Sequence, residues 1–212
     1  MPHKKIGRIE FFAKLEPLLS PRALEHTTMA YRLAKHGHKG QVRDGGEPYF
    51  EHPKSVAIIL IDELKITDWQ SICEALLHDT CEDTFILTWN GMQRIFGEVV
   101  TKDVRLLSKI PKEGYMQRIN DHGSSRMWIV KLCDRLDNMR DVANCRKEKI
   151  EKYIKETRKL YVPLAERLIT RLPKKHRWRG EYLKTELERH CDAAEVFLGD
   201  PQHLLVAERG SK

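Results

Sequence analysis

Apolar residues along this chain return mostly at helical spacing. After Ser20-Pro21, a cap followed by proline at the first helical position, Leu24, Met29, Ala30, Leu33 and Ala34 predict a helix over about 21–36. Residues 37–53, GHKGQVRDGGEPYFEHP, are rich in glycine and closed by proline, so they read as a loop, and a loop of that length is often functional. The run Val56 to Ile61 has the composition of a strand, but no second convincing strand exists elsewhere, which favours a buried helix over 54–64. Thr67 or Asp68 caps the next helix, whose Ile72, Ala75, Leu76 and Leu77 lead to His78-Asp79 near its end.

The remaining pattern is also helical. Thr88 caps a helix over 89–96, Gly97 stops it, and a new helix begins over 98–108. A break holding a short amphipathic piece follows, then Ser124 or Ser125 caps a helix carrying Trp128, Ile129, Val130, Leu132 and Leu136. A long helix over 147–172, a break at Pro173 and a helix over 181–198 complete the pattern, and the segment from Asp200 onward is expected to fray. No repeat, low-complexity tract or clear linker interrupts it. The expected fold class is all-α: one domain over 1–212, a helical bundle with its core at about 20–172 and a C-terminal helical extension at about 173–212.

Composition narrows the function classes. Charged residues make up 33% and the hydrophobic set 41%, which is ordinary for a globular chain. No apolar run approaches the roughly 18 residues that would span a bilayer, and the N-terminal stretch lacks the apolar core of a secretory signal, so no membrane partner and a cytoplasmic location are expected. The five cysteines are odd in number and include no close pair, which points to reduced thiols rather than a disulfide framework or structural zinc. The net charge of +7 is dispersed except in RLPKKHRWRG, residues 171–180. A solvated surface segment accounts for that run better than a nucleic-acid partner does.

The chemistry concentrates in ALLHDTCEDT, residues 75–84. Composition alone would place a His-Asp pair followed by Glu-Asp at this spacing only about 0.003 times in such a chain. Imidazole and carboxylate together suit a divalent first-row metal, and two adjacent ligands cannot close a site. His52 in EPYFEHP and Asp134 in IVKLCDRLDNMRD are candidates for the rest. Asp134 stands in an apolar helical stretch where a lone carboxylate is costly; a salt bridge to Arg135 or Arg140 is the alternative explanation.

The segments HKGQVRDGGEPYFEHPKSVA, ALLHDTCEDT and VKLCDRLDNMRD, in that order over roughly residues 24–145, resemble the three consecutive signatures of the hydrolase domain of RelA/SpoT-type alarmone enzymes, a branch of the HD-domain phosphohydrolases. The resemblance implies an HD-domain bundle and one Mn2+ per chain held by His52, His78, Asp79 and Asp134. It implies that Glu82 and Asp83 orient or deprotonate the attacking water, that Arg43 lies along the nucleotide base and Asn138 contacts the sugar, and that Tyr49 lines the same pocket. His38 supports the loop and is not a ligand.

The implied activity is that of a guanosine-3′,5′-bis(diphosphate) 3′-pyrophosphohydrolase: hydrolysis of the 3′-pyrophosphate of (p)ppGpp or a related alarmone to GDP or GTP and pyrophosphate. The residues after the third signature are too few for a synthetase domain, so no synthesis is expected. Asp44, Asp137 and Asp141 depart from the family pattern where the nucleotide would lie, which bears on the identity of the substrate more than on the reaction. The alternatives are an HD-type phosphatase acting on NADPH or another nucleotide, and an antitoxin-like or binding role. The expected partner is the nucleotide, with a homo-oligomer left open.

Overall fold

The computed structural model describes residues 6–199. Helices account for its regular structure: α1 Arg8–Leu15, α2 Pro21–Gly37, α3 Glu51–Ile58, α4 Trp69–Leu77, α5 Thr80–Asp83, α6 Trp89–Leu107, α7 Tyr115–His122, α8 Ser125–Arg140, α9 Lys147–Glu156, α10 Val162–Arg171 and α11 Arg177–Gly199. The all-α expectation holds, and the only β pairing among the described residues is an isolated bridge between Val42 and Pro48. None of the described helices is long and apolar enough to cross a membrane. The chain divides into two compact units, one ending at Asp134 and the other beginning at Arg135. Of the expected C-terminal extension, 173–212, residues 173–199 fall inside the second unit, and the segment from Asp200 lies outside the described residues.

In the first unit the caps form where the residues called for them. Ser20 accepts from the Ala23 amide, Asp68 from Ser71 and Thr88 from Gly91, each filling one of the open amide positions of a first turn. The apolar run that composition left between strand and helix is α3 continued by a wider π-type turn over Ile59–Glu63, with Val56, Ile59 and Leu60 fully buried. Gly97 bends α6 instead of ending it: its φ of 81° and ψ of 175° belong to a region closed to most residues with a Cβ, and helix continues on both sides. α1 was not anticipated; its Phe11 and Phe12 lock against Tyr31 of α2 at ring-centroid distances of 5.3 Å, and Tyr31 meets Phe50 at 4.8 Å. Phe11, Leu15, Leu60, Leu76, Met92 and Ile119 are fully buried, each contributing about 1.5–3 kcal/mol by leaving water.

The second unit packs α10 against α11, with α9 alongside α11. The helix expected over 147–172 forms, but a π-type turn over Thr157–Tyr161 interrupts it just before Pro163, where the missing amide N–H rules out regular bonding. At Gly180 an added Cβ would come within 2.7 Å of Ile169 Cγ1, so only glycine permits this close approach of α11 to α10. The basic segment, read as a solvated surface segment, is partly helical: a short 3-10 turn over Lys174–His176 runs into α11 at Arg177. Arg135 stacks on Tyr161 at 4.0 Å and reaches Glu156 at 2.9 Å.

Candidate metal and hydrolytic centre

Three stretches of the first unit bring buried donors to one place. His52 stands in the first turn of α3, His78 and Asp79 between the end of α4 and the single turn of α5, and Asp134 near the middle of α8. His52, His78 and Asp134 each offer an atom within 4.8 Å of the others. Asp134 Oδ1 lies 3.1 Å from His52 Nε2 and 3.7 Å from His78 Nε2. Asp79 Oδ2 lies 3.1 Å from His78 Nε2 and 3.8 Å from His52 Nε2.

The two imidazoles meet Nε2 to Nε2 at 3.3 Å. His78 Nδ1, 2.8 Å from the Ala75 carbonyl, is the nitrogen positioned to donate, which leaves the Nε2 lone pair directed at the other three groups. Two nitrogens and the Asp134 oxygen, all at least nine-tenths buried, form a donor set that fits a divalent first-row cation, with Asp79 Oδ2 close to both imidazoles.

Electrostatics keep both aspartates ionised. Burial pushes Asp79 up, but the neighbouring imidazoles, His78 first and then His52, outweigh it and hold the carboxyl well below the usual range. Asp134 behaves alike: burial raises it, while Lys131 first and then His52 and His78 hold it well below. Lys131 Nζ donates to Asp134 Oδ2 at 2.7 Å, a partner not considered from sequence. Arg135 reaches Glu156 and Arg140 reaches Glu186 at 3.5 Å. Lys131 was overlooked although its spacing, three residues before Asp134 in an apolar run, places both on one helix face.

The acidic pair lies directly beyond the ligand-like residues. Glu82 Oε2 accepts from the Lys109 amide at 2.8 Å. The Asp83 carbonyl accepts from Gln41 at 3.1 Å, and its Oδ2 lies 3.2 Å from the Tyr49 hydroxyl. That hydroxyl donates to Asp79 Oδ2 at 2.8 Å, so Tyr49, expected among the nucleotide contacts, bridges Asp79 and the acidic pair. Burial first, and then the charges of Asp79 and Asp83, push the phenol far above its ordinary value, so it remains a donor.

His38 stacks on the Tyr49 ring at 4.7 Å and binds Gln41 through Nδ1, the loop-supporting position expected for it. Lys109 is held protonated by Asp134, Asp79 and Glu82 against the effects of burial and of Lys131, and it adds a cation beside the centre. Arg43 lies in the loop with its Nε 4.0 Å from Glu47. Asn138 stands one turn after Asp134 on α8, in the second unit.

A sequence family described as an HD domain matches residues 30–125 and 122–170. Over 175 residues the chain is 41% identical to the guanosine-3′,5′-bis(diphosphate) 3′-pyrophosphohydrolase of Aquifex aeolicus, a match covering 77% of this chain and 25% of that protein. Over 186 residues it is 33% identical to the bifunctional (p)ppGpp synthase/hydrolase SpoT of Escherichia coli, covering 82% of this chain and 25% of that one. The chain thus spans about a quarter of the length of these curated relatives. A solved structure described as a metazoan ortholog of SpoT that hydrolyzes ppGpp superposes with a TM-score of 0.60 at 25% identity, covering 81% of this chain and 94% of that one.

Proposed function

The chain belongs to the HD-domain family, and from that premise we propose that it hydrolyses the 3′-pyrophosphate of (p)ppGpp or a closely related alarmone, giving GDP or GTP and pyrophosphate. The observation that carries this reading is the convergence of His52, His78, Asp79 and Asp134 beside Glu82 and Asp83. The four converging side chains would hold one divalent ion, Mn2+ in this proposal, which would supply Lewis-acid polarisation of a phosphate oxygen and a lowered pKa for the attacking water.

The chain's own residues supply the rest of the chemistry. Glu82 or Asp83 takes the proton of the water that attacks the 3′-linked phosphorus, and the bond from that phosphorus to the ribose oxygen breaks to release pyrophosphate. Lys109, protonated beside Asp79, Asp134 and Glu82, offsets charge on the phosphates as they crowd the carboxylates. Arg43 takes the nucleotide base, a guanidinium plane being suited to stacking on it. The five free thiols accord with action in the cytoplasm.

The test is to incubate the purified protein with Mn2+ and, separately, ppGpp, pppGpp, ppApp and NADPH, reading pyrophosphate against orthophosphate. Pyrophosphate from a guanosine alarmone supports the reading, provided that Glu82→Gln abolishes it. Orthophosphate from NADPH alone would replace it with a nucleotide phosphatase, and no turnover at all would leave the binding role.

A further inference from the structure

A second recess, separate from the hydrolytic centre, lies along the outer face of α2. It has a volume of about 670 Å3, and its lining includes Met29, Leu33 and Ile86 together with the cations Arg8, Arg32, Lys35 and Lys39. No acidic residue among the described residues lines it, and none of these four cations is engaged in an ion pair there. Met29 is 42% exposed although it stands on a helix whose opposite face is core. Met29 and Leu33 are four residues apart and so share one stripe of α2, which runs for about 12 Å from Met29 to the helix end at Gly37. The cations are all exposed, so the recess is an apolar floor with a positive border.

We infer that this recess docks an acidic amphipathic helix of a partner protein. Charge complementarity selects the occupant. An apolar stripe of Leu-like residues at positions i and i+4 fills the floor, and carboxylates on either side of that stripe meet the exposed cations. A free nucleotide fits less well, because a bound phosphate requires donors converging at depth, whereas here the depth is apolar and the charges stand at the border. A flat anionic lipid surface would contact the border and leave a concave floor unfilled. The inference uses no residue of the hydrolytic centre and stands or falls apart from the proposed reaction.

The test uses the full chain and a fluorescein-labelled 15-residue peptide with leucines on one helical face and glutamates elsewhere, followed by anisotropy. Saturable binding is expected. It should weaken at least tenfold in Arg32→Glu/Lys35→Glu, whose exposed side chains make folding insensitive to the change, and circular dichroism checks that. It should weaken at least as much for a peptide of identical composition with its leucines dispersed around the helix. Absence of saturable binding, equal binding of the dispersed peptide, or an unchanged affinity in the charge-reversed variant overturns the inference. So does co-sedimentation with phosphatidylserine vesicles in the absence of peptide binding.

Discussion

Replacing Tyr49 by phenylalanine removes one oxygen that touches two carboxylates, and the geometry says which of them suffers. A phenol has a single proton to donate. Asp79 Oδ2 at 2.8 Å is the better placed acceptor and Asp83 Oδ2 at 3.2 Å the poorer one. The lost bond is charge-assisted, worth about 1.5–3 kcal/mol, which converts to roughly a 10- to 100-fold weakening of whatever Asp79 holds. That range agrees with the cost of removing a group that orients a metal ligand.

Tyr49→Phe should therefore weaken Mn2+ binding by about 10- to 100-fold, read by isothermal titration. Turnover should fall at limiting metal and recover as metal is raised, with KM for the nucleotide unchanged. The ring stays, so the stack on His38 at 4.7 Å survives and unfolding is not the expected cause of the loss. A raised KM with unaltered metal affinity would refute this reasoning and return Tyr49 to the role of a pocket wall for the nucleotide.

Two further outcomes follow from the same coordinates. In wild-type protein, Mn2+ at about 100 times its Kd should add about 2.7 kcal/mol, a rise in Tm of roughly 5–10 °C by scanning fluorimetry, and His78→Ala should abolish that rise; an undiminished metal response in the variant counts against the ligand assignment. Glu74 is fully buried with Arg126 Nε 2.8 Å from its Oε1, and burial above all pushes its carboxyl up from 4.5 to about 9 despite that cation. Its folded-state pKa is raised, so the stability it confers is complete below about 4.5 and is lost as pH rises toward 9. Urea midpoints should decline over that window in the wild type and flatten in Glu74→Gln, and parallel curves for the two proteins would contradict the assignment.

The elements that sequence made legible are those whose local chemistry agrees with their packing. α2, α4 and the first half of α6 each begin at a Ser, Asp or Thr whose oxygen accepts from the backbone, and each buries apolar residues such as Ala30, Leu76 and Phe96, although Met29 of α2 faces outward. α1 escaped notice because Gly7 stands at its cap without a side chain to signal it, and because Ile9 inside it is 88% exposed. The single turn of α5 is too short for any periodicity, although it sets Glu82 and Asp83 beyond Asp79. The candidate ligands were readable from three segments whose order carries the resemblance. The support around them was not, because the bond between Tyr49 and Asp79 spans thirty positions and no local pattern encodes it.

The two aspartates are held by different means, and the difference follows from where each lies in the chain. Asp134 sits inside a long helix, where a partner three residues earlier is one turn away, and Lys131 occupies that place. Lys131 is almost completely buried, a cost that its ion pair to Asp134 Oδ2 and its approach to the Tyr115 ring at 5.2 Å offset, while Tyr115 is itself tied by its hydroxyl to the Leu107 carbonyl. One oxygen is thereby fixed by the helix and the other, Oδ1, is left for the imidazoles. Asp79 has no such helical neighbour, since α4 ends two residues before it, so its positioning group comes from the loop ahead of α3. Asp134 is therefore secured by local helix geometry, whereas Asp79 depends on the tertiary placement of a loop. Perturbations of residues 38–50 should consequently reach the centre through Asp79 before they reach Asp134.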